Sequence, residues 1–306
     1  MKSILWRVEK HSPISRPHTG TGGARGSMAQ NGTHRGMRED GVVAASDGTR
    51  IAYSLYRGEG RARLALVHSL AMDRHFWDAV VSELDPAFDV LAYDCRGHGA
   101  SDKPSSAYSV ELFAHDLADL MNSIGWSNAV VAGASMGGCV SLAFAAGYPE
   151  RTAGLGLIDT TAWYGADAPK AWAERADKAL AGGMSAMVDF QKSRWFSDAF
   201  RAANPDLVDR AVRTFVANDV NAYARTCEML GACDMRSALS SFNMPVSIAV
   251  GEEDYATPVA MAEAMRSAIP NARFQTIESV RHFTPLEVPG KIAAVLQDLC
   301  QEVSFQ

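Results

Sequence analysis

A serine in a glycine-rich turn between two apolar segments constrains the fold of this 306-residue chain more than any other feature. The apolar run 129–132 precedes the turn, Gly133 and Gly137 flank Ser135 at a spacing of two, and a second apolar run covers 139–144. Glycines at these positions remove Cβ clashes from a sharp turn between a strand and a helix. The pattern predicts that the Ser135 hydroxyl projects from the edge of a buried sheet, where it can act as a nucleophile.

Short β-like runs alternate with amphipathic stretches from Val42 onward, which is typical of a largely parallel sheet flanked by helices. A helix is predicted over 110–124 behind an N-cap at Ser109. The fold class is therefore α/β, with a mostly parallel eight-stranded sheet. The eight candidate strands are residues 42–46, 51–56, 63–68, 88–94, 129–133, 154–159, 246–251 and 273–277.

Two segments depart from the α/β alternation. Helix-forming residues dominate 163–230 without a strand-like run, so we predict a helical lid there, inserted into a core formed by 41–162 and 231–306. Residues 1–40 contain a run rich in Gly, Ser, Arg and His, from His11 to Arg38, which predicts a disordered N-terminal extension. The extension is interpreted as untrimmed, with Met28 or Met37 as the real start, although a targeting arm is the alternative.

Charge and composition exclude several functions. The net charge of -6 at a sequence pI near 5.8 argues against a nucleic-acid partner. No apolar run reaches the length that spans a membrane. The five cysteines are scattered without a metal or redox spacing, which favours the cytoplasm, and no motif indicates a cofactor or a metal site. The sequence leaves homo-oligomerisation open.

A serine nucleophile requires a histidine base, and His282 is the best candidate among the eight histidines. It follows the last candidate strand after a short loop, so the chain order can be serine, acid, histidine. His68 remains as a second candidate but is expected to brace the loop after the third strand. The others lie in the tail, on a polar helix face or in turns, namely His11, His18, His34, His75, His98 and His115.

Two carboxylates are candidates for the group that orients this histidine. Asp254 follows the seventh candidate strand, and Asp159 ends the sixth. Either strand end can reach His282, and we favour Asp254, with Asp159 interpreted as a strand-end residue or a cap. The oxyanion of an acyl-transfer intermediate also needs N–H donors. We expect them to be the backbone N–H groups of Met136, after the nucleophile, and Leu70, in the loop after the third strand.

These motifs resemble the α/β-hydrolases and, among them, the 3-oxoadipate enol-lactonases and their esterase-like relatives. The resemblance covers residues 42–300 and rests on segments 69–77 and 93–102, the serine turn, segment 251–258 and His282. It implies the α/β-hydrolase fold and an esterase or lactonase that acts on a small-molecule substrate through a Ser-His-Asp triad. Carbon–carbon hydrolysis or acyl transfer on the same triad, and a non-catalytic ligand receptor, are the alternatives.

Two residues of the insertion are predicted to bind substrate. Arg194, in a run with Trp195 and Phe196 that points to the lactonase branch, is the cation expected to bind a substrate carboxylate. The alternative is that Arg194 is a solvated helix residue. Trp163 is expected to form an aromatic wall in the loop after the sixth strand, where the lactonases tend to place a basic residue, and this departure favours an uncharged ester or lactone.

Overall fold

The computed structural model describes residues 37–303 and residue 305. The predicted N-terminal extension up to residue 36, including the alternative start at Met28, lies outside the described residues. Residues 38–40 belong to the first strand rather than to a tail, because the pairing of Arg38 with Tyr56 extends this strand beyond the apolar run that begins at Val42.

Eight strands form one sheet in the order β1-β2-β4-β3-β5-β6-β7-β8. β2 pairs antiparallel with both β1 and β4, and every other neighbouring pair is parallel. The prediction of a mostly parallel eight-stranded sheet is thus confirmed. The strands are β1 (Arg38–Ala44), β2 (Arg50–Tyr56), β3 (Ala62–Val67), β4 (Phe88–Tyr93), β5 (Ala129–Ala134), β6 (Thr152–Ile158), β7 (Val246–Gly251) and β8 (Arg273–Ile277).

Helices flank the sheet and fill the insertion. The longest core helix, predicted over 110–124, begins behind Ser109, whose side chain accepts a hydrogen bond from the Leu112 N–H. The α-helices are α1 (Asp78–Glu83), α2 (Val110–Ser123), α3 (Met136–Gly147), α4 (Ala168–Gly182), α5 (Val188–Trp195), α6 (Asp198–Ala203), α7 (Pro205–Val216), α8 (Val220–Ala232), α9 (Val259–Ala268), α10 (Thr284–Glu287) and α11 (Pro289–Gln301). Among the described residues, no helix is both long and apolar enough to cross a membrane.

The strand and helix that carry Ser135 are the most deeply buried pair. Every residue of β5 is buried, and α3 is buried along its first ten residues. A strand covered on both faces reads as a continuous apolar run, which is why 129–134 lacks polar alternation. The nucleophile therefore projects from a rigid support.

The lid (residues 163–230) contains helices α4 to α7 and most of α8, and aromatic contacts fasten it to the core. The ring of Trp195, at the end of α5, stacks on Phe283 with centroids 4.9 Å apart and planes 13° apart. The Phe283 N–H also donates to the Trp195 carbonyl at 2.9 Å. Since Phe283 is adjacent to His282, this contact fixes the position of the lid relative to the histidine.

Two glycines on α3 provide a matched test of how closely this helix packs against β3. A Cβ on Gly137 would lie 2.1 Å from the carbonyl oxygen of Val67, whereas a Cβ on Gly147 would meet nothing within 4 Å. We expect Gly137→Ala to lower the free energy of unfolding by about 3 kcal/mol or more, because a backbone atom cannot move aside. Gly147→Ala should raise it by up to about 1 kcal/mol through helix propensity. Urea unfolding of both variants measures the difference, and equal effects would contradict the close approach of α3 to β3.

Candidate active site

The turn between β5 and α3 holds Ser135 in a strained conformation. Its φ is 53° and its ψ is -116°, a region that costs a non-glycine residue about 1–3 kcal/mol. Two contacts hold the turn, since the Ser135 N–H donates to the Ile158 carbonyl at 3.0 Å and the Thr160 hydroxyl donates to the Ser135 carbonyl at 2.7 Å. Glycine is required at position 133, where a Cβ would lie 2.1 Å from the Gly137 carbonyl oxygen.

Ser135, His282 and Asp254 form one hydrogen-bonded chain. His282 Nε2 lies 2.9 Å from Ser135 Oγ, and His282 Nδ1 lies 2.7 Å from Asp254 Oδ2. With a carboxylate at Asp254, the imidazole carries its proton on Nδ1 and leaves Nε2 free to accept the serine proton. All three side chains are buried, so little water competes for these contacts. This is the geometry that activates a serine nucleophile.

The Asp254 carboxylate is oriented by its own loop. Asp254 Oδ1 accepts hydrogen bonds from the Ala256 N–H at 2.7 Å and the Thr257 N–H at 3.0 Å, and Oδ2 accepts from the Thr257 hydroxyl at 3.0 Å. These donors hold the carboxyl group in one orientation. They also fix the oxygen that faces His282.

Asp159, the alternative acid, has a different set of contacts. Its Oδ1 accepts from the Gly251 N–H at 3.0 Å, and its Oδ2 accepts from the Thr284 N–H at 3.1 Å and the Thr284 hydroxyl at 2.6 Å. Complete burial, with a smaller effect of the Asp254 charge, raises the pKa of Asp159 well above its usual range. Asp159 therefore ties the ends of β6 and β7 to the start of α10, while Asp254 faces His282.

The loop after β3, which carries Leu70, is braced by His68 as expected. Buried His68 donates from Nδ1 to the Ser69 carbonyl at 2.8 Å and accepts at Nε2 from the Cys95 N–H at 3.0 Å. Burial lowers the pKa of His68, and burial together with the neighbouring His68 lowers the pKa of His98 to about 3. Both rings are therefore neutral near pH 7. His68 holds the loop, and His98 packs edge-on against His68 with ring centroids 5.1 Å apart.

A cavity opens above Ser135, and we call it the nucleophile cavity. Its lower part is formed by core residues and its upper part by the lid. Arg175 and Arg194 are among the lid residues, whereas no Asp or Glu lines the cavity among the described residues. The full lining is Ser69, Leu70, Ser135, Tyr164, Trp172, Arg175, Gln191, Arg194, Trp195, Ala256, Thr257 and His282.

The two arginines are held by neutral partners. Arg194 Nη2 donates to the Tyr255 carbonyl at 2.6 Å, and its guanidinium lies 5.0 Å from the centre of the Phe190 ring. Arg175 Nε donates to the Tyr223 hydroxyl at 2.7 Å. Burial, followed by repulsion from Arg175, lowers the pKa of Arg194. The cavity thus concentrates positive charge at its lid side.

The structure places Trp163 outside the nucleophile cavity, which differs from the prediction that it forms a substrate wall. Trp163 and Asp234 form an isolated antiparallel bridge, and the Arg236 guanidinium lies 3.7 Å from the centre of the Trp163 ring. Neighbouring side chains in extended backbone point to opposite sides. The adjacent Tyr164 accordingly faces the cavity, while Trp163 lines a separate surface pocket.

Several cavity residues were not identified from the sequence. Trp172 and Arg175 lie three positions apart on α4, and Gln191 and Arg194 lie three apart on α5, so each pair shares a helix face. The spacing is visible in the sequence, but the direction in which each face points is not. That direction depends on how the lid packs on the core.

A sequence model of the alpha/beta hydrolase fold family matches residues 63–289, so the chain belongs to this family. It is 27% identical to 3-oxoadipate enol-lactonase 2 of Acinetobacter baylyi over 239 residues, which cover 78% of this chain and 88% of that protein.

Two solved structures share the fold closely. The enol-lactonase from Burkholderia xenovorans LB400 matches with a TM-score of 0.81 at 30% identity, covering 86% of this chain and 100% of that one. A thermophilic esterase from Thermogutta terrifontis matches with a TM-score of 0.80 at 26% identity, covering 86% and 98%. The resemblance to α/β-hydrolases and enol-lactonases inferred from the motifs is confirmed.

The two aspartates can be distinguished by the reactivity of Ser135. We expect Asp254→Asn to slow phosphonylation of Ser135 by a fluorophosphonate by up to about 10⁴-fold, because the imidazole loses the partner that fixes its tautomer. Asp159→Asn should lower the melting temperature and leave the labelling rate within about threefold, since the Asp159 carboxyl group accepts hydrogen bonds from Gly251 and Thr284. Mass spectrometry of the label against time measures both rates. The opposite ranking would assign the acid to β6.

Proposed function

We propose that this protein is a serine hydrolase that cleaves a carboxylic ester or lactone through an acyl-enzyme on Ser135. The observation that carries the proposal is the buried chain of contacts from Ser135 Oγ through His282 to Asp254, at 2.9 and 2.7 Å. Relatives named as enol-lactonases and an esterase share the fold across most of their length. Esters and lactones present the same acyl carbon to a serine nucleophile.

The reaction follows from the positions of three side chains. Ser135 Oγ attacks the acyl carbon while its proton moves to His282 Nε2, and Asp254 stabilises the imidazolium that forms. The bond from the acyl carbon to the leaving oxygen then breaks, and Nε2 returns the proton to that oxygen. A water molecule, deprotonated by the same histidine, releases the acyl group and restores Ser135.

We assign the oxyanion hole to the backbone N–H groups of Leu70 and Met136. Met136 is the first residue of α3, so its N–H has no acceptor within the helix. Leu70 lines the cavity beside Ser135, in a loop closed by a 3.1 Å hydrogen bond from the Met72 N–H to the Ser69 carbonyl. Each such donor contributes about 3 kcal/mol to stabilising the transition state.

The lining of the cavity favours a substrate that carries an anion. Arg175 and Arg194 bring two positive charges to a cavity that no carboxylate of the described residues lines. Gln191 adds a buried amide nitrogen without a hydrogen-bond partner among the described residues. A buried unpaired donor costs about 1–3 kcal/mol unless a ligand supplies the acceptor. A substrate carboxylate beside Arg194 and Gln191, which lie three positions apart on α5, would supply that acceptor.

We also assign the protein to the cytoplasm. All five cysteines are free and buried in the structure. Unpaired thiols persist in reducing compartments, whereas secreted proteins tend to oxidise them to disulfides.

Substitution of the nucleophile tests the reaction class. We expect Ser135→Ala to abolish hydrolysis of p-nitrophenyl hexanoate, and the wild type to release a burst of nitrophenol equal to the enzyme concentration if deacylation is the slower step. A fluorophosphonate should label Ser135 in the wild type, as located by peptide mass spectrometry. Activity that survives the substitution, or a label at another residue, would refute the proposal. Absence of any turnover in a folded wild type would favour a ligand receptor.

The charge of the substrate is tested with two esters of equal chain length. Mono-p-nitrophenyl adipate carries a terminal carboxylate where p-nitrophenyl hexanoate ends in a methyl group. We expect Arg194→Ala to lower kcat/KM for the adipate about tenfold or more, since a charge-assisted hydrogen bond contributes about 1.5–3 kcal/mol. The hexanoate should change less than about threefold.

A matched control uses the arginine that stacks on Trp163 outside the cavity. Arg236→Ala should leave kcat/KM unchanged for both esters, because Arg236 pairs with Asp234 at 2.6 Å on the surface. Equal losses on both esters in Arg194→Ala would mean that the lid is perturbed and that Arg194 binds no carboxylate.

A further inference from the structure

Tyr164 places a phenol beside the nucleophile. The residue lies in the loop that follows β6, and its ring packs edge-on against Trp172 with centroids 5.2 Å apart and planes 81° apart. Tyr164 and Ser135 line the same nucleophile cavity. The hydroxyl of Tyr164 also lies 3.7 Å from Sγ of Cys139, on the helix that begins directly after Ser135.

The phenolic proton is available to a substrate. The Cys139 thiol donates to the Tyr164 oxygen at 3.7 Å, so this contact does not use the phenolic proton. Burial, reinforced by Cys139, raises the pKa of Tyr164 well above 10, so the phenol keeps its proton at neutral pH.

The strand order decides which substrate oxygen Tyr164 can reach. β5 carries Ser135 and lies between β3 and β6. The loop after β3 supplies Leu70 on one side of the nucleophile, and the loop after β6 supplies Tyr164 on the other. The carbonyl oxygen of the substrate turns toward Leu70 and Met136. The leaving oxygen then lies on the opposite side, where both Tyr164 and His282 are found.

We propose that Tyr164 is a further catalytic residue, whose hydroxyl donates a hydrogen bond to the leaving oxygen of the ester or lactone as the tetrahedral intermediate collapses. The inference rests on the proposed hydrolase function. The bond from the acyl carbon to the leaving oxygen breaks, and the electron pair goes to that oxygen. His282 Nε2 supplies the proton that ends on it, while Tyr164 retains its own and stabilises the charge that develops.

Two esters of one acid test this role, because leaving groups differ in the help they need. Methoxide is a strong base and requires stabilisation as it leaves, whereas p-nitrophenolate requires little. We expect Tyr164→Phe to lower kcat/KM for monomethyl adipate at least about tenfold, the loss for a hydrogen bond to a charged oxygen. The loss for mono-p-nitrophenyl adipate should stay within about threefold. A purely structural role would reduce both rates by the same factor.

The control removes a hydroxyl of the same type far from the cavity. The Tyr148 hydroxyl bonds His115 at 2.5 Å beyond the end of α3, so Tyr148→Phe should leave the ratio of the two rates unchanged. Retained activity on the aryl ester shows that Tyr164→Phe is folded. Equal losses on both esters, or no loss on either, would overturn the role of Tyr164 while leaving the hydrolase function intact. A wild type that cleaves neither ester would overturn both proposals.

Discussion

The strained backbone of Ser135 is the constraint on which the rest of the site depends. A serine at φ 53° is unfavourable by itself and persists only where the surroundings over-determine it. Here a fully buried strand, a buried helix and the close approach of Gly137 to Val67 leave the turn no alternative conformation. This backbone conformation directs the Ser135 side chain out of the sheet, with Oγ 2.9 Å from Nε2 of His282. The position of Ser135 and its contact with His282 thus have one origin.

Buried polar groups support this turn from both sides without competing for its chemistry. His68 is neutral and bonds two backbone groups of the neighbouring loops, and Asp159 bonds Gly251 and Thr284. Each satisfies donors or acceptors that would otherwise be buried unpaired. Burial lowers the pKa of His68 and raises the pKa of Asp159, and both changes favour the neutral form of the side chain. Of the two aspartates, Asp254 is the one whose carboxyl group faces His282.

The lid contributes a different kind of environment. Its inner face combines Trp172 and Trp195 with two arginines and a buried amide, so the cavity is apolar at its walls and cationic at its roof. The stacking of Trp195 on Phe283 holds this roof next to His282. Under the proposed function, this contact would link the binding of an anionic group in the roof to attack by Ser135. Specificity would then reside in the lid, and reactivity in the core.

The sequence by itself determined the sheet and the turn at Ser135, and it singled out His282 as the candidate base and His68 as the brace of a loop. These rest on local signals, namely glycine spacing, apolar runs and the order of elements along the chain. Only the tertiary structure separated Asp254 from Asp159, because both end neighbouring strands and the choice depends on which loop bends toward His282. The tertiary structure also showed that Tyr164, rather than Trp163, lines the cavity, and that Arg175 and Gln191 line it as well. The direction of a loop side chain or helix face is set by packing against distant residues, which no local pattern records.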